Sequence, residues 1–200
     1  MEAADEHRAW VLVSISTGAE ASLRVHVWRQ LRKLGAIYIQ QSICLLPDRP
    51  AVAKALTRLI ARVRTQGGQA RALHLQLTDP DEIAALVAEQ QAGRDAEYAE
   101  VLDRVPQFLA ELDSETARGR ATYAEVEESE ADLERFERWL KSIADRDYFD
   151  APGGAAARAA VDGCRQALAA FERIALAADT AFAPATPRPR AGLPSHPDPE

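Results

Sequence analysis

A chain of 200 residues with 47% hydrophobic content can bury one core or two small ones, so its bulk is globular and not disordered. No apolar run approaches the ~20 residues of a membrane span. The acidic, polar opening at residues 1–8 is no ordinary secretory signal, and Cys44 and Cys164 lie too far apart for a CxxC or Cys/His metal spacing.

These exclusions predict a cytoplasmic protein with reduced thiols, no cofactor and no membrane span. The net charge of −7 hides an uneven distribution. Residues 8–78 carry eleven Lys/Arg against two acids, Glu20 and Asp48, a net of +9. Residues 79–183 carry eleven against twenty-four, a net of −13. Such asymmetry suits a basic half that meets a polyanion. It equally suits two halves that attract each other within the fold.

Residues 10–16 (WVLVSIS) form a short apolar, β-branched run, which predicts a buried strand. Thr17-Gly18 breaks it. Over 20–34, Leu23, Val27, Leu31 and Leu34 recur at helical spacing, with Gly35 just past the end. Residues 36–40 (AIYIQ) and 42–46 (SICLL) predict two strands close enough to pair as a hairpin, followed by a turn at 47–50. Residues 50–65 predict a second helix with Val52, Leu56, Leu59, Ile60 and Val63 on one face, stopped by Gly67-Gly68. Residues 71–77 (RALHLQL) alternate, with Leu73, Leu75 and Leu77 on the side expected to be buried. The order β-α-β-β-α-β is the split βαβ, or ferredoxin-like, pattern: an antiparallel four-stranded sheet with two helices on one face.

At residues 78–82 the period changes. A capping residue, a proline and two acids mark a helix start. Helical spacing then runs through Ile83, Val87, Val101, Leu102, Val105, Leu109 and Leu112, with a kink expected at Pro106 and a break at 118–121. A second helix carries Val126, Leu133, Phe136, Leu140 and Ile143. After a turn at 150–154, a third carries Val161, Cys164, Leu168, Phe171 and Ile174. Each is apolar on one stripe only, so they must pack together or on a partner. The fold class is therefore α+β: a basic ferredoxin-like domain over 8–78, an acidic antiparallel helical hairpin or three-helix bundle of coiled-coil character over 79–183, and a disordered Pro-rich tail over 184–200.

The first helix is the most basic stretch. Arg24, Arg29, Arg32 and Lys33 lie off its apolar stripe, interleaved with His26 and Trp28. Arginines beside an exposed aromatic suit phosphate or nucleic-acid contact. Arg58, Arg62 and Arg64 on the second helix extend that patch. The plain alternative is a solvated helix face with Trp28 packed on the helical half, in a chain where Arg outnumbers Lys twenty-one to three. The Gln40-Gln41 amides suit a hairpin turn better than base reading. Acidic runs such as 125–130 read as a solvated face. Asp145, Asp147 and Asp150 offer only a weak cation site. No Ser/His/Asp or Cys/His grouping, GxGxxG or P-loop occurs, so no catalytic apparatus is legible and a non-enzyme is expected.

Several spaced motifs carry a resemblance. Trp10-Val-Leu-Val, Leu23-Arg-Val-x-Val-Trp-Arg29, Leu31-x-Lys-Leu-Gly-Ala36, Tyr38-x-Gln40-Gln41 and Leu45-Leu-Pro47 resemble the N-terminal domain of ChrB, the chromate-resistance regulatory protein. Asp95-x-Glu-Tyr98, Arg118-Gly-Arg-x-Thr-Tyr123, Leu133-x-x-x-x-Arg-Trp-Leu140 and Arg146-Asp147-x-Phe149 are similar to that domain's helical part, so the resemblance spans about residues 8–180.

It implies chromate-responsive control of transcription, with DNA at a promoter as partner, chromate as effector and an oligomer as the working form. A protein-interaction adaptor that docks through the acidic hairpin, without nucleic acid, is the rival. Direct chromate handling through Cys44 or Cys164 is a third reading. The basic half is also similar to the corresponding module of PaaX-type repressors and of small CRISPR-associated nucleases. Those nucleases need an acid at the end of the first strand, where this chain has Ser14-Ile-Ser16, so that activity is not carried over. Two departures stand out. Ser42-Ile43-Cys44 replaces an expected glycine and aromatic after Gln41. A Pro-rich stretch stands where family members continue into a separate chromate-resistance domain; if sensing belongs to that domain, the resemblance implies either binding without sensing or work with a separate partner.

Overall fold

The computed structural model describes residues 7–182, so the tail expected over 184–200 lies outside the described residues. The first half folds as β1 (Ala9–Ser16), α1 (Ala21–Lys33), β2 (Ile37–Gln40), β3 (Ile43–Pro47), α2 (Pro50–Thr65) and β4 (Gln69–Gln76). The strands form one sheet in the order β2-β3-β1-β4, with every pairing antiparallel. This is the expected α+β arrangement.

Val11, Val13 and Ile15 of β1 and Cys44 and Leu46 of β3 meet Leu23, Val27 and Leu31 of α1 and Val52, Leu56, Leu59 and Val63 of α2. Burying side chains of this size stabilises by ~1.5–3 kcal/mol each. The helix α1 ends in a Schellman motif. The Gly35 N–H donates to the Arg32 carbonyl (3.0 Å) and the Ala36 N–H to that of Leu31 (3.1 Å). Gly35 sits at φ 72°, where only glycine is unstrained.

The sheet has two apolar faces, and here β4 departs from expectation. Ala70 and Ala72, not the leucines, face the α1–α2 core. Leu75 and Leu77 turn to the opposite face, where they join Trp10, Ile37, Leu45 and Phe149 with Leu86 and Val87. Leu73 points the same way but is 54% exposed. Alternation predicts which residues share a side of a strand. It does not say which side meets the helices when the neighbouring strand, β1, carries apolar residues on both faces.

The second half is α3 (Pro80–Ala117), α4 (Tyr123–Ala144) and α5 (Gly153–Phe182). The Asp79 carboxylate caps α3 by accepting from the Asp81 N–H at 2.9 Å. Pro106 does not end α3. Val101, Val105, Phe108 and Leu112 on either side of it are buried in the bundle core, and this packing carries the helix across the missing hydrogen bond. Phe108 meets Phe136 edge-on at 5.8 Å, Tyr98 reaches Asp147, and Arg165 pairs with Glu137. Neighbouring helices are therefore antiparallel. On α5 the buried row is Val161, Cys164, Leu168, Phe171 and Ala175; Ile174 is instead 43% exposed, because the 3.6-residue period carries the inward face on to Ala175. Among the described residues, no helix is long and apolar enough to cross a membrane.

The two halves meet behind the sheet. Trp10, fully buried, stacks on Phe149 at 5.7 Å. The Gln91 amide donates to the Phe149 carbonyl (2.8 Å), the Gln90 amide to that of Gly35 (2.6 Å), and the Tyr148 hydroxyl to that of Leu34 (3.1 Å). The helical half thereby clamps the C-terminal end of α1.

Candidate nucleic-acid interface

With Leu23, Val27 and Leu31 turned inward, α1 exposes Arg24, Arg29, Arg32 and Lys33. The same logic on α2 exposes Arg58 and Arg62. The two sets merge around His26. Its imidazole is held below its ordinary pKa, first by partial desolvation and then by the nearby charges of Arg62 and Arg29. None of the six cations has a carboxylate partner among the described ion pairs. Arg24 donates to the Gly18 carbonyl at 2.9 Å, and the Arg32 guanidinium lies 5.3 Å from the Trp28 ring centroid. Arg64 leaves the patch: it donates twice to the Ala70 carbonyl (2.8 and 3.2 Å) and so ties α2 to β4. Trp28 does not bury itself against the helical half; it is 47% exposed.

Two grooves flank α1. One, of about 910 Å³, lies between α1, the turn at 17–18 and the β2–β3 hairpin; Arg24, Trp28, Tyr38, Gln40, Gln41 and Ser42 line it over Val27, Leu31 and Cys44. The other, of about 590 Å³, separates His26, Arg29, Arg32 and Lys33 from Glu97, Glu100, Trp139 and Arg146 of the helical half. The far wall thus carries Glu100 beside the Arg146–Glu97 ion pair.

Several residues that carry the family resemblance are structural. Glu97 lies between two arginines, 3.1 Å from Arg94 Nε and 2.9 Å from Arg146 Nη2. Burial lowers the Arg94 pKa, and Glu97 opposes that shift. The Tyr98 hydroxyl donates to Asp147 at 3.0 Å, and burial together with that bond pushes its pKa up to about 12. Asp147 also accepts the Ala151 N–H at 3.0 Å, and Asp95 accepts the Gly153 N–H at 2.7 Å. Asp145 pairs with Lys141 at 2.8 Å. Among the described residues, Asp145, Asp147 and Asp150 form no group that could hold a metal ion.

Sequence reasoning missed Gln90 and Arg94, which are buried to 4% and 9% exposure. They continue the inward row of α3 through 90, 94, 98, 101 and 105, so the signal was polar residues at apolar-stripe positions. The cysteines are both buried. Burial pushes the Cys44 thiol up to about 11 and raises that of Cys164. Neither is a thiolate near neutral pH, which disfavours nucleophilic or ligand roles.

A family model described as "Protein ChrB, N-terminal" matches residues 24–181. The chain belongs to the ChrB N-terminal family. Among its relatives is Protein ChrB of Cupriavidus metallidurans, 30% identical over 154 residues. That alignment covers 76% of this chain but only 43% of the relative, so the chain spans less than half the length of the protein it matches. The span matched to the ChrB N-terminal family includes all six candidate cations and the Arg94–Glu97–Arg146 and Tyr98–Asp147 contacts.

Proposed function

We propose that this chain is a chromate-resistance regulatory protein that binds DNA through the arginine surface of α1 and α2. The observation that carries this reading is the cluster of Arg24, Arg29, Arg32, Lys33, Arg58 and Arg62, exposed on adjacent helices without carboxylate partners among the described ion pairs. Unneutralised guanidinium groups contact phosphate and release its counterions, so binding falls steeply with salt. The acidic bundle orients the duplex by repulsion and clamps the end of α1. The activity is binding in the cytoplasm, with no chemical step. Chromate acts as the effector, sensed with the help of a further domain or a separate partner.

A mobility shift against the DNA upstream of its own gene, with and without chromate, tests this. Retardation at low salt that chromate relieves is expected. No retardation at low salt overturns the proposal. A second reading, an adaptor that docks through the acidic helices, draws support from Ile174 and Tyr123, which stand 43% and 52% exposed on them. Capture of a protein partner through residues 79–183, without DNA binding, would favour it.

A further inference from the structure

The groove between α1 and the β2–β3 hairpin has a composition that phosphate contact alone does not use. Trp28 on one wall is 47% exposed and Tyr38 on the other is 40% exposed. Tyr38 is paired in register with Cys44, so the two side chains share the helix-facing side of the sheet, with Cys44 at the groove floor. Arg24 stands one helical turn before Trp28 on the same wall, and Gln40 and Gln41 line the hairpin side. The Gly18 carbonyl holds one Arg24 nitrogen and leaves the remaining N–H donors for a ligand.

Duplex DNA offers a protein its phosphates and its base edges. The base faces are stacked inside and cannot reach a tryptophan ring. A groove with two exposed aromatics, a flanking guanidinium group and amides that both donate and accept matches a different form of the same polyanion: a strand with unpaired bases. Its volume, about 910 Å³, admits a nucleotide unit with room for its neighbours.

We infer that the α1–hairpin groove is a single-stranded nucleic-acid site, in which an unpaired base stacks on Tyr38 and on the face of Trp28 away from Arg32 while Arg24 holds a flanking phosphate. This deepens the proposed DNA-binding role and rests on α1 being a nucleic-acid surface. On this assignment the protein grips melted or single-stranded DNA more tightly than duplex.

The test uses the full chain and fluorescence anisotropy at one low salt concentration. The probes are a short labelled oligothymidylate and a labelled duplex of the same length. The parent is expected to bind the single strand ~10-fold more tightly than the duplex. Trp28→Ala and Tyr38→Ala should each weaken single-strand binding ~10-fold while duplex binding changes less than ~2-fold. Trp28→Phe should keep most of the single-strand affinity, because a ring face remains. Both positions are exposed, so thermal melting should match the parent, which separates a stacking defect from a folding defect. Alanine variants that bind the single strand like the parent, or lose both forms equally, overturn the groove assignment. A parent that binds duplex but not single strand overturns it too, and leaves the phosphate-contacting role of α1 standing. A parent that binds neither form overturns both.

Discussion

The side-chain amide of Gln90 donates to the carbonyl oxygen of Gly35 at 2.6 Å, joining the N-terminal third of the long helix α3 to the glycine just past the end of the basic helix α1. A Cβ at position 35 would stand 2.8 Å from Nη1 of Arg94, so the junction has no room for a side chain. The φ of 72° adds a backbone reason for glycine. Gly35→Ala should therefore cost ~1–3 kcal/mol, combining the left-handed backbone with displacement of a buried guanidinium. Gln90→Leu leaves the Gly35 carbonyl buried and unpaired, which costs ~1–3 kcal/mol. Chemical denaturation followed by circular dichroism reads both.

Tyr98 and Asp147 tie α3 to the loop after α4 at 3.0 Å. Tyr98→Phe should lower stability by ~1.5–3 kcal/mol, the range for a hydrogen bond to a charged group. The Tyr98 pKa rises on folding, up to about 12. A group whose folded pKa is raised stabilises fully below its unfolded pKa of ~10, and that contribution disappears as pH climbs through the folded value. Stability should thus fall across this alkaline window. Tyr98→Phe should flatten the fall without abolishing it, because the Cys44 thiol, raised to about 11, titrates there as well. Denaturation midpoints measured through that range would check the sign.

Phe149 couples the halves. It is 6% exposed, stacks on Trp10 at 5.7 Å, and has the Arg49 guanidinium 6.0 Å from its centroid. Phe149→Ala should cost ~3–5 kcal/mol. It should also separate the unfolding of the sheet, reported by Trp10 fluorescence in a Trp28→Phe, Trp139→Phe background, from that of the bundle, reported by helical circular dichroism. Coincident transitions in the variant would show that the join lies elsewhere.

If α1 and α2 bind phosphate, replacing Arg29 and Arg62 together with alanine should weaken DNA binding. The salt slope should drop by about 1 for each phosphate that the variant no longer neutralises. Arg64→Ala is the informative control. Its guanidinium is committed to the Ala70 carbonyl, so it should lower stability and leave the salt slope nearly unchanged.

Cys44 and Cys164 are buried with raised thiol pKa values. In the folded protein both should resist alkylation by iodoacetamide at neutral pH and react readily after denaturation. If chromate is the effector, a double Cys→Ala variant should respond to it as the parent does. Loss of that response with folding intact would return the thiols to the effector chemistry.

The order of the first six elements could be read from the chain because each had a local signature: β-branched runs for strands, a 3.6-residue apolar row for each helix, and glycines where the backbone turns left-handed. Pro50 at the start and Gly67-Gly68 beyond the end are enough to bound the helix over 50–65. The exposure of Arg24, Arg29, Arg32 and Lys33 followed just as directly from the inward row of Leu23, Val27 and Leu31. The β4 leucines show where this reasoning stops. Period 2 sorts a strand's residues into two sides, and the partner on each side is a matter of packing.

The candidate interface divides along the same line. Charge segregation, the arginine-rich helix and the βαββαβ order are properties of neighbours in the chain, and local physics is enough to read them. The junction is not local. Gln90 meets Gly35 across 55 positions and Tyr148 meets Leu34 across 114. The extension of the α1 patch onto α2 could be read from the βαββαβ order, which sets both helices on one face of the sheet, but the facing of Trp28 and Tyr38 across one groove depends on how α1 docks on that sheet. Periodicity says which side of an element avoids water. Only the packed structure says which two such sides, or which exposed flanks, come to lie together.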